Sequence, residues 1–449
     1  MELSGKNLIA GTLSAAGSET ITPLDPRTGQ DLEPTFAEAS DREIDRAFDL
    51  AEEAFRFWRG GDPEERAELL ELIAEKIEAL GDELVERVQQ ETALPEGRVK
   101  GERGRTTGQI RLFAEVIRDG SWVEARIDPA SEEGPDVRRM LQPLGPVGIF
   151  GASNFPLAFS VAGGDTISAL AAGCPVVYKA HPGHPGTSEL VGRVIAEAVE
   201  ECNFPDGTFS LLHGASPDVG QAVAKHPAAR AIGFTGSLAA GRAIFDAATA
   251  RPEPIPVYAE MGSVNPVFLL PGVLPERNTE IAAGLAESVT MGTGQFCTNP
   301  GLVFGLDGEG VDAFVDVLGE KLADEPVSPM LYPGIRDGFE AGCQRMAAVS
   351  GVEVAHRYHP TDAPAGTEAA PVVFTTDGTT FLQNEALMEE VFGPSTLVVK
   401  ADSVEELTDI ALQLNGDLTA SLHGSEEDLQ AHSDLMHVLE RRVGRLIFN

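Results

Sequence analysis

The sequence predicts an α/β protein with two doubly wound parallel-sheet domains and a protruding β-hairpin. The first observation is an alternation of short apolar runs with helical patterns from residue 146 onward, which is typical of parallel sheets covered by helices. The second is that 42% of the 449 residues are apolar, enough for more than one buried core. The third is a charged fraction of 23%, which fits a globular chain.

The first 121 residues predict a helical layer after short strands or turns at 7–11 and 19–23. Ser40 and Glu43 form a capping-box pattern, and apolar residues then recur at helical spacing. Further amphipathic helices are predicted at 62–80, 82–92 and 97–117. Residues 122–144 contain short alternating runs and a turn near 133–135, which predicts the hairpin.

The region 145–270 predicts a strand-helix alternation. The expected strands are 147–150, 175–179, 208–212, 231–234, 256–260 and 267–270, and the expected helices are 162–172, 188–202, 219–225 and 237–248. Residues 145–178 carry one charge, at Asp165, but glycines, prolines and polar residues interrupt them, so a buried α/β segment is favoured over a membrane span. A second α/β unit is expected from 271 to the C-terminus.

The formal net charge of −38 argues against nucleic acid or an anionic membrane as a partner, because both need fields of lysine and arginine. Four cysteines without a C-x-x-C pair indicate neither a disulfide framework nor a metal site, and a reducing cytoplasm fits them best. Cys174, Cys202 and Cys343 are interpreted as buried apolar residues.

Cys297 is the candidate nucleophile. It lies among Gly294, Asn299 and Pro300, residues typical of a loop in which a sulfur is accessible. An isolated cysteine is more often a buried apolar residue, and the loop together with its potential partners reverses that preference here.

Two residues could assist this thiol. Glu260 ends a predicted strand and could act as a base, although a surface acid is the simpler interpretation of the local sequence. Asn154 follows a strand end and could donate its amide to an oxyanion, although an Asx turn is the simpler interpretation of the local sequence.

A dinucleotide site is also indicated. Gly236 and Ser237 lie between a predicted strand and helix, where backbone N–H groups can bind a pyrophosphate. Lys179 ends another strand and could contact ribose or phosphate oxygens. Each feature alone has an ordinary alternative, a strand-to-helix turn and a solvated lysine respectively.

Together these residues resemble the aldehyde dehydrogenase superfamily. The resemblance is carried, in the family's order across nearly the whole chain, by Asn154-Phe-Pro, Lys179, Gly233-Phe-Thr-Gly-Ser, Glu260-Met-Gly, Gly294-Gln-Phe-Cys and Glu389-Glu-Val-Phe-Gly-Pro. It implies that a nicotinamide cofactor accepts hydride and that a thioester on Cys297 is then hydrolysed.

The resemblance also implies residue roles. Cys297 would be the nucleophile, Glu260 the base and Asn154 the oxyanion donor. The implied cofactor-binding residues are Lys179 at the adenosine ribose, Gly236 and Ser237 at the pyrophosphate, Glu390 at the nicotinamide ribose and Phe392 at the nicotinamide.

The segments 179–188 and 260–271 look like those of 2-oxoglutarate semialdehyde (2,5-dioxopentanoate) dehydrogenases, which also resemble a bacterial long-chain fatty aldehyde dehydrogenase. Where many NAD-preferring members carry a glutamate, this chain has Pro182, so NADP is favoured with NAD as the alternative. Arg105 and Arg111 are candidates for binding a substrate carboxylate, against the simpler interpretation of exposed helix arginines.

The resemblance further implies a dinucleotide-binding domain of residues 1–121 and 145–262, an oligomerisation hairpin at 122–144 and a catalytic domain at 263–449. Family members continue for several tens of residues beyond the position of Asn449. We therefore expect a catalytic domain truncated at its end, and a homo-oligomer that would lack the partner strand of its hairpin.

Three other functions compete with aldehyde oxidation. An acyl-phosphate or acyl-CoA reductase would share the fold and the cysteine, but it needs no water-activating Glu260. A non-catalytic binding protein is disfavoured by the presence of both Cys297 and Glu260. A papain-like hydrolase needs a histidine base, and no pattern connects a histidine to Cys297.

Overall fold

The computed structural model describes residues 1–58, 61–132, 134–325, 327–358 and 366–449. Its contacts divide the chain into two units. Unit 1 comprises Met1–Asp25 and Gln30–Met261, and unit 2 comprises Pro26–Gly29 and Gly262–Asn449. The predicted turn at 133–135 lies partly outside the described residues, at position 133.

Unit 1 contains strands that alternate with helices after residue 145, as predicted. The strands of unit 1 are β1 (Asn7–Ile9), β2 (Thr12–Ser14), β3 (Thr20–Ile21), β4 (Leu24–Asp25), β5 (Gln30–Asp31), β6 (Phe36–Ala37), β7 (Arg126–Asp128), β8 (Val137–Arg139), β9 (Val147–Phe150), β10 (Val176–Lys179), β11 (Phe209–Leu212), β12 (Ala231–Thr235) and β13 (Val257–Glu260). Its α-helices are α1 (Asp41–Trp58), α2 (Pro63–Ala79), α3 (Gly81–Thr92), α4 (Glu96–Asp119), α5 (Gly164–Ala172), α6 (Pro185–Glu201), α7 (Pro217–Lys225) and α8 (Leu238–Thr249), with 3-10 turns at Ser121–Val123 and Asp206–Thr208.

The main sheet of unit 1 has the strand order β13-β12-β9-β10-β11-β1-β2. The first five strands are parallel, so their carboxyl ends meet at one edge. β1 pairs with β11 in the antiparallel sense, and β2 pairs antiparallel with β1 because residues 10 and 11 turn the chain back with positive φ values of 45° and 74°. The predicted parallel sheet is therefore extended at one edge by antiparallel pairing.

Helices cover both faces of this sheet. Val176 and Tyr178 of β10 pack in a core with residues of α2, α4 and α6, whereas Val177 packs in a second core with residues of α1, α7 and α8. This alternation follows from the period of two along a strand. It also explains why β9, β10 and β11 are nearly continuous apolar runs rather than alternating ones.

Helix α1 begins where the capping pattern predicts. The Glu43 carboxylate accepts hydrogen bonds of 2.8 Å from both the backbone N–H and the hydroxyl of Ser40. The cysteine predictions hold in part, since Cys174 and Cys343 are buried but Cys202, just after α6, is only half-buried.

Unit 2 is a second α/β layer structure. Its strands are β14 (Val267–Leu269), β15 (Leu302–Leu306), β16 (Ser328–Pro329), β17 (Glu353–Arg357), β18 (Glu368–Ala369), β19 (Val372–Asp377), β20 (Ser395–Ala401), β21 (Asp417–His423) and β22 (Val443–Phe448). Its helices are α9 (Leu274–Thr290), α10 (Glu309–Ala323), α11 (Pro333–Ala347), α12 (Gly378–Gln383), α13 (Val404–Gln413), α14 (Glu426–Ala431) and α15 (Ser433–Leu439), with 3-10 turns at Met291–Gly294 and Glu385–Met388.

The main sheet of unit 2 has the order β17-β19-β20-β15-β14-β21-β22, and its strands are parallel except for β17 at one edge. Two segments that contain candidate site residues lie just before its central strands. Cys297 precedes β15, and the segment 389–394 precedes β20. The neighbouring β15 and β20 therefore bring these two segments to the same end of the sheet.

Strands β7 and β8 form the predicted hairpin, with Arg126 opposite Arg139. Its apolar side chains are open to solvent, since Ile127 is 66% exposed and Val137 is 52% exposed. Residues 145–178 form β9, α5 and β10 rather than one long helix. Within the part of the chain that the structure describes, no helix has the length and apolar character to cross a bilayer.

Candidate functional site

Unit 1 collects several of the predicted residues at the carboxyl edge of its sheet. Lys179 is the last residue of β10, and Glu260 is the last residue of β13. Strand register fixes their levels, because Lys179 lies opposite Phe150 of β9 and Glu260 lies opposite Thr235 of β12. This edge is where open parallel sheets bind ligands.

Asn154 lies in the segment after β9, on the same edge. The chain turns back there, and the N–H of Ala152 donates to the carbonyl of Phe159 at 2.9 Å. Gly151 is required at the start of the turn, because a Cβ atom would lie 1.8 Å from the Tyr178 hydroxyl oxygen. Asn154 itself is half-buried.

Glu102 holds this turn, and sequence reasoning gave it no role. Its carboxylate on α4 is 4% exposed and accepts hydrogen bonds of 2.9 Å from the N–H groups of Leu157 and Ala158. Burial raises the pKa of Glu102, and the two N–H groups and Arg98 partly oppose that shift. A charged acceptor inside α4 could not be recognised from a helical pattern alone.

The two candidate arginines on α4 have different surroundings. The Arg105 guanidinium lies 4.9 Å from the ring centre of Phe159 and 5.6 Å from that of Phe155, the residue after Asn154. Arg111 instead makes a bidentate ion pair with Glu78, at 2.7 and 2.8 Å. This pair holds the pKa of Glu78 at about 2.

Gly236 and Ser237 are exposed between β12 and α8. The Gly236 N–H donates to the Glu260 carbonyl at 3.1 Å, and the Ser237 hydroxyl caps α8 by accepting from the N–H of Ala240 at 3.4 Å. A Cβ on Gly236 would lie 2.9 Å from the Phe234 ring, so the chain approaches this ring closely. The exposed N-terminus of a 12-residue helix fits the pyrophosphate of a dinucleotide.

Burial lowers the pKa of Lys179 to about 8, and the neighbouring Glu38 carboxylate opposes this shift. Glu38 also accepts hydrogen bonds from the N–H groups of Ala215 and Ser216, at 2.7 and 3.0 Å. Sequence reasoning considered the missing carboxylate at Pro182 but overlooked Glu38. Its 141-residue separation from Lys179 gives no local signal.

Cys297 lies in a loop of unit 2 and is half-buried. Gly292, Thr293 and Gly294 precede it with left-handed φ values of 57°, 59° and 68°. A Cβ on Gly294 would lie 2.2 Å from the carbonyl carbon of Gly393, so only glycine allows this contact. The loop containing Cys297 thus packs against the segment 389–394.

The Asn265 side chain supports this loop from inside unit 2. Its amide nitrogen donates to the carbonyl of Cys297 at 2.8 Å and to the carbonyl of Asn299 at 3.0 Å. The Asn299 side chain in turn donates to the Gly393 carbonyl at 3.2 Å. Sequence reasoning noted the segment that contains Asn265 but assigned the residue no role.

Glu390 and Phe392 line a small recess within unit 2, together with Ser263 and Asn299. Burial raises the pKa of Glu390 to about 7, and the negative charge of Asp417 adds to the increase, against a hydrogen bond from the Ser263 backbone. Among the described residues, no group of three or more histidine, cysteine or acidic side chains is placed to hold a metal ion.

Each unit therefore offers a different chemistry. The sheet edge of unit 1 presents a carboxylate, an amide, a lysine of lowered pKa and an exposed helix N-terminus. The loops of unit 2 present a half-buried thiol and a second carboxylate beside a recess. A thiol can form a covalent bond with a carbonyl carbon, and a helix N-terminus can bind a phosphate.

Comparison with known proteins gives one family for nearly the whole chain. The sequence model of the aldehyde dehydrogenase family matches residues 13–434. The chain is 46% identical to α-ketoglutaric semialdehyde dehydrogenase 2 of Azospirillum brasilense, over 100% of this chain and 86% of that protein. It is 41% identical to α-ketoglutaric semialdehyde dehydrogenase of Acinetobacter baylyi, with the same coverage.

Solved structures confirm the predicted fold class. A NAD-dependent benzaldehyde dehydrogenase from Corynebacterium glutamicum superposes with a TM-score of 0.81 at 23% identity, covering 99% of this chain and 94% of that one. A betaine aldehyde dehydrogenase from Staphylococcus aureus, solved with NAD+, has a TM-score of 0.84 at 22% identity, covering 99% and 88%.

Proposed function

The chain belongs to the aldehyde dehydrogenase family, whose members use NAD or NADP, and we propose that it oxidises 2,5-dioxopentanoate to 2-oxoglutarate. The observation that carries this substrate is the 46% identity, over the whole chain, to an α-ketoglutaric semialdehyde dehydrogenase. A second relative of the same name, at 41% identity, supports it.

In this proposal the Cys297 thiolate attacks the aldehyde carbon and forms a thiohemiacetal. A nicotinamide held by Glu390 and Phe392 would supply the hydride acceptor, and loss of hydride from that carbon would leave a thioester on Cys297. Water then cleaves the thioester, so that aldehyde, water and the oxidised cofactor give acid, reduced cofactor and a proton. Support comes from the half-buried position of Cys297 in a loop rather than in a core.

Glu260 would take the proton from the attacking water, and the Asn154 amide would donate to the oxyanion together with the backbone N–H of Cys297. The position of Glu260 at a strand end supports its role, since the ladder holds its backbone without help from the side chain. The turn stabilised by Glu102 supports that of Asn154, because an oxyanion donor must be held in place before the reaction.

Lys179, Gly236 and Ser237 would bind the adenosine ribose and pyrophosphate, while Glu390 and Phe392 would contact the nicotinamide ribose and ring. We propose that NADP is accepted and favoured over NAD, because Pro182 supplies no carboxylate to repel a 2′-phosphate. Glu38 is a carboxylate close to Lys179 that acts against this preference.

A substrate carboxylate needs a local cation in a chain of net charge −38. Of the two candidates, we favour Arg105, whose guanidinium lies 5.6 Å from the centre of the Phe155 ring, next to Asn154 in the sequence. Arg111 is less suited because both arms of its guanidinium are occupied by Glu78.

We further propose that residues 1–121 and 145–262 bind the dinucleotide and that 263–449 carries the nucleophile. The exposed apolar side chains of the hairpin at 122–144 support its pairing with a second copy of the chain. A cytoplasmic location is proposed because the thiol must stay reduced.

Turnover assays with both cofactors test the proposal. We expect a higher kcat/KM for 2,5-dioxopentanoate than for an uncharged aliphatic aldehyde such as octanal, and release of the free acid. Cys297→Ala should abolish turnover and keep cofactor binding, whereas Cys202→Ala, at a half-buried thiol of unit 1, should leave turnover intact. Persistent turnover in Cys297→Ala would refute the assigned nucleophile, and a preference for octanal would refute the substrate.

A further inference from the structure

A buried side-chain amide is costly unless its donors and its acceptor are all paired. Asn265 is 2% exposed and meets this requirement completely. Its nitrogen makes the two bonds to the carbonyls of Cys297 and Asn299 described above. Both hydrogens of the amide are therefore directed at the loop that carries the thiol.

The acceptor side of the same amide is fixed by the far end of the sequence. The Asn265 oxygen accepts from the hydroxyl of Thr419 at 3.1 Å and from its backbone N–H at 3.3 Å. The Ser263 hydroxyl lies 2.9 Å from the same oxygen and 3.1 Å from a carboxylate oxygen of Asp417. The N–H of Leu418 donates to the Ser263 oxygen at 3.0 Å, which anchors the group to β21.

The backbone of Asn265 is itself unusual, with a φ of 45°. Asparagine tolerates the left-handed region better than other residues with a side chain, and glycine tolerates it freely. This conformation turns the chain immediately before β14. A turn alone would thus be served by glycine, whereas the bonds to the two carbonyls need the amide.

We propose that Asn265 is a positioning residue for the nucleophile. Its amide connects strand β21 to the loop that carries Cys297 and so holds that loop in one position. The proposal rests on the role of Cys297 proposed above. Fixing the carbonyls of residues 297 and 299 fixes the peptide planes on both sides of the turn after the thiol. The position of the Cys297 backbone, and through it the position of the thiol, then depends on a residue that itself touches neither substrate nor cofactor.

The test compares Asn265→Asp and Asn265→Gly in the full chain. Aspartate keeps the shape but presents oxygens, which cannot donate, to the two carbonyls; glycine keeps the left-handed turn but has no amide. We expect kcat to fall by up to roughly 100-fold in both variants, with cofactor affinity unchanged, because a displacement of about 1 Å at a reacting group has such an effect.

A second readout does not depend on the aldehyde. The rate of Cys297 alkylation by iodoacetamide, followed peptide by peptide with Cys202 as internal reference, should fall severalfold in both variants. A freed loop no longer holds its backbone dipoles around the thiolate. If the wild type oxidised no aldehyde, the proposed function would fail while this comparison could still be made.

The matched control is Asn203, which also has a left-handed φ, of 56°, but lies exposed in unit 1. Asn203→Asp and Asn203→Gly should change neither readout. If Asn265→Asp does not fold, the test uses Asn265→Gly and Ser263→Ala instead. Ser263→Ala should lower kcat and the alkylation rate of Cys297 by smaller factors than Asn265→Gly does. An Asn265→Gly variant with wild-type kcat and an unchanged or faster alkylation rate would overturn the proposal. Asn265 would then serve only the left-handed turn of the backbone before β14.

Discussion

The two units hold their candidate reactive groups by different means. In unit 1, Lys179 and Glu260 are the last residues of parallel strands, so ladder hydrogen bonds set their backbone positions. In unit 2, Cys297 belongs to no ladder, and its loop is held by the Asn265 amide and by the packing of Gly294 on Gly393. Hydrogen bonds between strand backbones position the candidate residues of unit 1, whereas a side-chain amide and close glycine packing position that of unit 2.

This difference determines whether a substitution changes only one side chain or also moves the backbone that carries a candidate reactive group. At a strand end, changing the side chain removes its chemistry and leaves the backbone in place. In a loop supported by side chains, a change at a residue distant in sequence displaces the reactive group. We therefore expect substitutions of candidate residues at the strand ends of unit 1 to lower activity without lowering stability. Substitutions that affect the loop of unit 2 should more often lower both.

Glu260→Gln should have the largest effect among the tests at the sheet edge. Loss of a general base lowers turnover by about 10²- to 10⁴-fold. A single-turnover burst of reduced cofactor should remain, since hydride transfer precedes hydrolysis, and the melting temperature should be unchanged. Glu253→Gln, at an exposed acid just before β13, serves as the control. An unaltered steady-state rate would remove Glu260 from the mechanism.

Glu102→Ala tests the exception in unit 1, where a side chain rather than strand pairing holds the turn that carries Asn154. Two buried N–H groups, of Leu157 and Ala158, would lose their acceptor, which costs about 1–3 kcal/mol for each unsatisfied group. We expect lower unfolding free energy and a lower kcat, measured by denaturant titration and initial rates.

Glu102→Gln keeps a carbonyl acceptor and should recover part of both losses. Glu115→Ala, at an exposed position of the same helix, should cost neither. Loss of stability without any loss of kcat would show that the turn around Asn154 needs no such support, and would narrow the contrast between the units.

The parallel strands of unit 1 were predictable from the sequence. The expected strands at 147–150, 208–212 and 231–234 differ from the observed ones by at most one residue at either end. Their apolar runs end at Gly151, His213 and Thr235, and the helices between them have clear periodicity. For the same reason Lys179 and Glu260 could be assigned to strand ends.

The side-chain supports could not be predicted. Asn265 is separated by 32 residues from Cys297 and by 154 from Thr419, and Glu102 is separated by 55 from Leu157. A buried polar residue at such separations looks, in one sequence, like any surface residue. Only the positive φ of Asn265 has a local correlate, the preference of asparagine for turns, and that preference does not reveal what its amide binds.

The carboxylates of unit 2 give a pH test of intermediate size. Burial raises the pKa of Glu390 to about 7 from an ordinary value of 4.5. As pH falls through about 7 this group takes up a proton and accepts fewer hydrogen bonds from ribose hydroxyls, so KM for the cofactor should rise. Asp417→Asn removes a neighbouring negative charge and should move that midpoint to lower pH.

The same group links pH to stability with a defined sign. Because the folded state binds the Glu390 proton more tightly than the unfolded state, its contribution to stability falls as pH rises from about 4.5 to about 7. The melting temperature of Glu390→Gln should therefore increase relative to that of the wild type as the pH rises through this range. A difference that stays constant with pH would show that Glu390 ionises normally.

The smallest expected effect concerns the cofactor's 2′-phosphate at the edge of unit 1. Glu38→Gln removes a carboxylate close to Lys179, so the ratio of kcat/KM for NADP to that for NAD should rise severalfold. Pro182→Glu introduces a carboxylate nearby and should lower the same ratio, while Glu33→Gln, at an exposed acid five residues before Glu38, should leave it unchanged. Because strand β10 fixes the Lys179 backbone in every case, these variants should differ in charge alone. Equal changes for both cofactors would mean that the substitutions had moved Lys179, and the sheet edge would then depend on its side chains as the loops of unit 2 do.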